Sequence, residues 1–420
     1  MHYRIGAFHK SAQIDIFGPM APDAPFGSQQ VASRESHKVA GLFAGIGGIE
    51  LGLSRAGHEA NLLCEIEPSA LAVLGEHFPG VERVADVTQL ESLPESTTLV
   101  TAGFPCQDLS QAGKTAGIEG LNSGLVRHVF RLLEKRRVPW VLLENVSFML
   151  RLARGNAMRI VINELERLGY RWAYRVMDTR AFGLPQRRER VYLLACLPEV
   201  GDPRDVMLAA DHGPTAVPKD FHSLANGFYW TEGIRGLGWA VNAVPTLKGG
   251  STIGIPSPPA IWMPDGRMVK PDIRDAERLQ GFPVDWTEPA LHVDKRGRRW
   301  KLVGNAVSVV AAEWIGKRLL DPTPYDPTTD IDLALNSTWS DAAWSLSPGK
   351  RYASSVSRWP VAEPMPALAE FLKYPPALLS ERATAGFLSR VRVSSLRFPE
   401  GFVTALENHL AAVQREPATV

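Results

Sequence analysis

Short apolar runs alternating with stretches of helical period mark the middle of the chain. Val39-Ala-Gly-Leu-Phe43 reads as a buried strand, a glycine-rich loop follows, and 49–56 carries helical spacing. Asn61-Leu-Leu-Cys64 gives a second strand, and 68–77 a second helix with proline at its first turn. Residues 98–102, 140–143 and 189–195 read as further strands, with a helix over 124–136. This alternation predicts an α/β fold built on a doubly wound, mostly parallel sheet, with ligands at the carboxyl ends of its strands.

The pattern divides the chain. Residues 1–38 show no sustained period and read as an N-terminal extension, and 39–197 form the α/β core. Residues 198–271 are crowded with glycine and proline and carry Trp230, Trp239 and Trp262, as a small irregular domain would. Its end holds a hairpin signal, Ile261-Trp-Met-Pro-Asp-Gly-Arg-Met-Val269. Helical spacing over 273–279 and 306–320 places 272–320 back in the core. Within a C-terminal extension, 321–420, residues 321–340 read as an exposed linker. Arg390-Val-Arg-Val-Ser-Ser-Leu-Arg-Phe398 begins with strand-like alternation, its arginines set either for a DNA backbone contact or at an edge of the core.

Composition narrows the class. The chain is 420 residues long, 45% hydrophobic and 22% charged, as an ordinary globular protein is. Its apolar runs fall short of the ~18 residues that cross a bilayer, and no signal-peptide pattern opens it, so a cytoplasmic setting is expected. Cys64, Cys106 and Cys196 fit neither a disulfide framework nor a zinc site. The net charge of +1 excludes nothing. Local basic clusters stand at 135–137, at Arg187, Arg188 and Arg190, and at 295–301, where a phosphate contact competes with a plain solvated loop.

Chemistry gathers at loops that follow strands. Phe43-Ala-Gly-Ile-Gly-Gly48 departs from the dinucleotide spacing because position 50 is Glu, yet Gly45, Gly47 and Gly48 permit close backbone approach. Glu65 ends the second strand, where a carboxylate meets a ribose diol, and Asp86 suits an adenine amine. Together they predict an adenosine-containing cofactor without a pyrophosphate. Cys106, in Gly103-Phe-Pro-Cys-Gln107, has no nearby histidine to activate it. A thiolate can attack carbon 6 of a cytosine ring if an acid protonates ring nitrogen 3 and a cation steadies the carbonyl. Glu144, in Leu143-Glu-Asn-Val146, and Arg188 and Arg190, in Gln186-Arg-Arg-Glu-Arg190, supply those groups.

In this order the blocks, with Arg278-Leu-Gln-Gly-Phe-Pro283 and Gly304-Asn-Ala-Val307, resemble those of the bacterial-type DNA (cytosine-5) methyltransferases over 39–320. The resemblance implies a Rossmann-like methyltransferase fold, S-adenosylmethionine as donor with S-adenosylhomocysteine as product, and double-stranded DNA with a flipped-out target base. It makes Cys106 the nucleophile and Glu144 its acid, with Arg188 and Arg190 at the base or its phosphate. Phe43, Ala44, Gly45, Gly47, Gly48, Glu65, Ile66, Asp86, Val87, Gly103, Pro105, Leu125, Asn305 and Ala306 would form the cofactor pocket. Gln107, Ser110, Asn145, Thr246 and Leu247 would serve the substrate, and 198–271 would be the target recognition domain. The implied enzyme is a monomer with no membrane partner, possessed of a restriction-modification or phage-defence role.

The chain departs from the family at Gly41, where Asp is usual, at Asp108-Leu109, and at Leu302. Three rival readings are a tRNA cytosine-5 methyltransferase on the same core, a catalytically inactive DNA-binding scaffold, and a thiol hydrolase. The approximately seventy-residue recognition segment speaks against the first, intact Cys106, Glu144 and Arg190 against the second, and the donor-site residues against the third.

Overall fold

The computed structural model describes residues 35–105, 124–216, 218–250, 257–294, 298–334 and 337–415. Cys106, Gln107 and Ser110 lie outside the described residues, as do the departures at Asp108 and Leu109.

A ten-stranded sheet forms the body, and it is built outward on both sides of β1 (Lys38–Leu42). On one side lie β2 (Glu59–Cys64) and β3 (Glu82–Val84), both parallel to it. On the other lie β4 (Leu99–Ala102) and β5 (Trp140–Val146), again parallel. The short β7 (Gln186–Arg187) leads into β8 (Glu189–Cys196), which inserts antiparallel between β5 and β6 (Arg171–Asp178). β1, β4 and β5 are buried on both faces, which explains why they read as continuous apolar runs rather than alternating ones.

The first crossover turns sharply. Phe43 takes φ 55°, Gly45 φ 58° and Gly47 φ 80°, and the helix Gly48–Arg55 starts at once. The left-handed region costs a bulky residue on the order of 1–3 kcal/mol, a strain of the kind held at functional corners. Helix Val309–Leu320 packs on this first helix through glycines: a Cβ on Gly52 would overlap the Val309 carbonyl, and one on Gly316 would come within 2.7 Å of Ala56 Cβ. The helix expected over 306–320 starts only at Val309, because the backbone is extended at Ala306 and Ser308, and a separate helix, Arg299–Asn305, precedes that break.

Residues beyond 198 build a second sheet, in the order β10 (Ala240–Val241), β9 (Asn226–Phe228), β12 (Ala260–Trp262), β13 (Met268–Lys270) and β17 (Ala377–Leu378). The expected hairpin is the β12–β13 pair. β11 (Val244–Pro245) instead pairs with β7 of the core.

The C-terminal segment serves both sheets. β14 (Ile331–Asp332), β15 (Ala342–Ser347) and β16 (Lys350–Ala353) extend the large sheet, β15 pairing antiparallel with β6. Its full order is β14-β16-β15-β6-β8-β5-β4-β1-β2-β3. The linker expected at 321–340 is therefore partly structural: Asp330 accepts hydrogen bonds from Tyr325 and Trp344, and Trp339 donates to the Gly155 carbonyl. Arg390 and Arg392 end a helix, Glu381–Arg392, rather than begin a strand. Val391 and Phe387 face the core, so helical period overrides the short alternation. Arg390 donates to the carbonyls of Trp230 and Glu232, and Arg392 pairs with Glu407, so both are engaged within the protein.

Gly304 marks the closest approach between the two parts, since a Cβ there would overlap the backbone of Lys248 and Gly249. Gly304→Ala is expected to lower the unfolding free energy by about 1–3 kcal/mol, the usual cost of overpacking a tight site, measured as a lower urea midpoint.

Candidate active site

The carboxyl ends of β1, β4 and β5 deliver the chemistry to one place. A cavity there is lined by Leu42, Phe43, Ala44, Gly45, Gly48, Ile49 and Glu50 from the first crossover and by Gly103 and Glu144 from β4 and β5. Asn305, Ala306 and Val307 close it. Phe43, Ala44, Gly45, Gly48, Gly103, Asn305 and Ala306 are thus brought together as the sequence implied. Gly47 lies behind them, its α-carbon against the Phe78 ring.

Glu65 anchors the loop from the end of β2. Its Oε2 accepts from the Gly45 N–H at 2.7 Å and its Oε1 from the Glu67 N–H at 2.8 Å. Each carboxylate oxygen keeps a further lone pair for a hydroxyl. Ile66 beside it is 70% exposed, an apolar side chain left open at the rim. Asp86 accepts from the Thr88 N–H at 2.8 Å, and that bond holds its carboxyl below the ordinary value. Leu125 is partly exposed, whereas the Val87 side chain is buried in the core and its carbonyl accepts from Arg131.

Glu144 and Arg190 face each other across β5 and β8. Arg190 Nε lies 3.2 Å from Glu144 Oε1 as an ion pair, without the alignment of a hydrogen bond. Burial pushes the Glu144 carboxyl up, opposed by Arg190 and Arg188. A Cβ on Gly103 would sit 3.5 Å from Glu144 Oε2, so the strand end that leads to Cys106 abuts this acid.

Four expected contact residues have other tasks. Arg188, placed by sequence beside the base, is buried and donates to the carbonyls of Leu247, Gly304 and Ala306 at 3.2, 3.4 and 2.5 Å. Burial draws its guanidinium down to about 9. Asn145 donates to the Phe104 carbonyl at 2.9 Å, fixing the β4 end rather than a substrate. Thr246 donates to the Arg187 carbonyl, and the Leu247 N–H donates to Gln186 Oε1, which ties that dipeptide to β7. Neighbouring strands made these four roles, and single-residue reasoning does not see such neighbours.

Two contributors went unnoticed in the sequence. Gln186 and Gln280 are fully buried and bonded at 3.1 Å; Gln186 also donates to the Leu279 carbonyl and Gln280 to that of Val303. The repeated amide in two separate apolar blocks was the available signal. Glu50, noted only as a non-glycine, is 3% exposed on the cavity wall. Thr101 donates to its Oε1 at 2.7 Å, and Oε2 finds no partner among the described residues. Burial raises its carboxyl to about 7.

The described part of the 295–301 cluster is engaged within the protein. Arg298 and Lys301 pair with Glu67, and Arg299 with Glu277 and Asp285. Among the described residues, no group of three or more His, Cys, Asp or Glu is placed to hold a metal ion. None of their helices is long and apolar enough to cross a membrane.

The sheet and its cleft are of the Rossmann-like methyltransferase class. The family model for C-5 cytosine-specific DNA methylases matches residues 37–218. Type II methyltransferase M2.BsuMI of Bacillus subtilis (strain 168) is 49% identical over 386 residues, spanning 88% of this chain and 97% of its own length. Type II methyltransferase M.MspI of a Moraxella species is 28% identical over 329 residues, 72% of this chain and 76% of its own. Among solved structures, the S. pombe Dnmt2 methyltransferase covers 68% of this chain and 98% of its own at 19% identity, with a TM-score of 0.49. The chain belongs to the C-5 cytosine-specific DNA methylases and is a DNA (cytosine-5) methyltransferase.

Arg188→Met is expected to cost about 1–3 kcal/mol of stability by leaving buried carbonyls without donors, read from denaturant midpoints. Arg190→Met is expected to raise the Glu144 pKa further, because Arg190 pulls it down, as a carboxyl carbon titration by NMR will report. The Glu50 carboxyl, facing the Thr101 hydroxyl and the Glu65 carboxylate, holds its proton to about 7 when folded against an ordinary 4.5. Between these values the native state binds more protons than the unfolded one, so stability falls as pH rises. Glu50→Gln is expected to remove about 2–3 kcal/mol of the loss between pH 5 and pH 8, measured by unfolding both proteins at each pH.

Proposed function

We propose that this enzyme moves a methyl group from S-adenosylmethionine to carbon 5 of a cytosine flipped out of double-stranded DNA, through a covalent adduct with Cys106. The observation that carries the reading is the shared cavity: the glycine corner and Glu144 line one space, and Gly103, three residues before Cys106 in the sequence, lines it too. The residues fit the donor. Gly45 leaves open space for its backbone-close passage, Glu65 keeps lone pairs for ribose hydroxyls, and Ile66 and Asp86 would meet an adenine ring and its amine. S-adenosylmethionine supplies an electrophilic methyl group on a sulfonium.

The chain's own residues do the rest. The Cys106 thiolate bonds to carbon 6 of the ring, and the displaced electron pair makes carbon 5 nucleophilic as Glu144 gives its proton to nitrogen 3. Arg190 holds Glu144 and faces the base. After carbon 5 is methylated, water takes its proton, and return of the nitrogen 3 proton to Glu144 lets the ring double bond re-form and expel the thiolate. Asn145 fixes the Phe104 carbonyl and so the strand end that precedes the thiol.

The five-stranded sheet, reached through 198–271, reads the target sequence in this proposal, and Arg188 and the Thr246–Leu247 pair hold it to the core. The type II relatives support a place in a restriction-modification system, with phage defence as the benefit, and cytoplasmic DNA as the substrate. Duplex DNA carrying 5-fluorocytosine at the target is expected to become covalently trapped, because the last proton cannot leave. Cys106→Ala is expected to trap nothing and to transfer no labelled methyl. Transfer by the alanine variant at the wild-type rate would sink the mechanism.

A further inference from the structure

The buried carboxylate of Glu50 belongs to no step described so far. It lines the cavity with Gly103 and Glu144, its Oε1 is taken by Thr101, and its Oε2 has no partner among the described residues. An unpartnered carboxylate oxygen in such a place costs free energy unless a cation or donor arrives. Gly41 completes the observation. A Cβ on Gly41 would overlap the Glu50 carboxyl, so the glycine in β1 exists beside Glu50 as the space that its side chain fills.

We propose that Glu50 is a donor-binding residue whose Oε2 receives the positive charge at the methionine end of S-adenosylmethionine. This deepens the methyltransferase reading and rests on it. The donor carries two cationic centres, a sulfonium and an α-ammonium; both are matched by a carboxylate on this wall, and the two are told apart below. The other acid of the cavity, Glu144, is paired with Arg190, and Glu65 already accepts from two backbone N–H groups. Glu50 is therefore the acid of this cavity with no cation beside it among the described residues.

The test is calorimetric binding of S-adenosylmethionine and S-adenosylhomocysteine to the whole protein without DNA, which reads affinity rather than turnover. Glu50→Gln keeps the shape and removes the charge. It is expected to weaken S-adenosylmethionine binding roughly tenfold or more, the scale of one hydrogen bond to a charged group. Loss for both compounds assigns the contact to the ammonium, which both carry; loss for S-adenosylmethionine alone assigns it to the sulfonium. The double variant Gly41→Asp with Glu50→Ala returns a carboxylate to the same space from β1 and is expected to recover most of the affinity. If folded Glu50→Gln binds both compounds as tightly as wild type, the assignment is overturned while the methyltransferase reading stands. If wild type binds neither, that reading falls and takes this one with it.

Discussion

Burying a guanidinium away from water costs several kcal/mol unless its donors are met. Among the described residues no carboxylate forms an ion pair with Arg188, and the nearby Glu144 only partly offsets that cost. The Arg188 donors go instead to backbone carbonyls of Leu247, Gly304 and Ala306, which come from two separate stretches of the chain. The residue stands between β7 and β8, two positions before Arg190, so the same short segment that fixes these carbonyls also fixes the cation facing Glu144. Gln186 and Gln280 reinforce the seam with amides that bond each other and the surrounding main chain. The geometry of donor cleft, acid pair and second sheet follows from satisfying these buried polar groups together.

The acid chemistry depends on a graded set of environments. Glu144 is pushed up by burial and restrained by its arginines, Asp86 is partly exposed and held down by a backbone N–H, and Glu50 is buried without a cation. Three carboxylates thus have different proton affinities, and in the proposed mechanism each has a different duty: giving a proton, accepting from an amine, or receiving a charge.

Residues whose roles depend on their own stretch of chain were legible in the sequence. The glycine corner, Glu65 at the end of β2, Glu144 at the end of β5 and the apolar strands all announce themselves through turn chemistry and period. Roles set by distant neighbours were not. Asn145 looks like a substrate contact until the Phe104 carbonyl is seen beside it, and Thr246 and Leu247 look like readers until β7 is found paired to them. The helix Arg299–Asn305 hid because its basic side chains are paired with Glu67, Glu277 and Asp285, acids far away in sequence. Arg390 and Arg392 misled because three or four alternating residues fit a strand as well as the end of a helix. Glu50 was visible but meaningless until Gly41 explained the space it occupies.

The C-terminal segment sets one more condition. It leaves the core at Leu320, adds β14, β15 and β16 to the large sheet, then crosses to give β17 and the helices Glu381–Arg392 and Phe402–Arg415 to the smaller one, where Phe387, Phe402 and Leu406 are core residues. The smaller lobe is therefore assembled from two lengths of chain that are far apart in the gene. That lobe is not a cassette. An engineer wishing to graft a new lobe from a relative would have to carry over both lengths at once, since 198–271 taken alone would arrive with its inner face stripped bare.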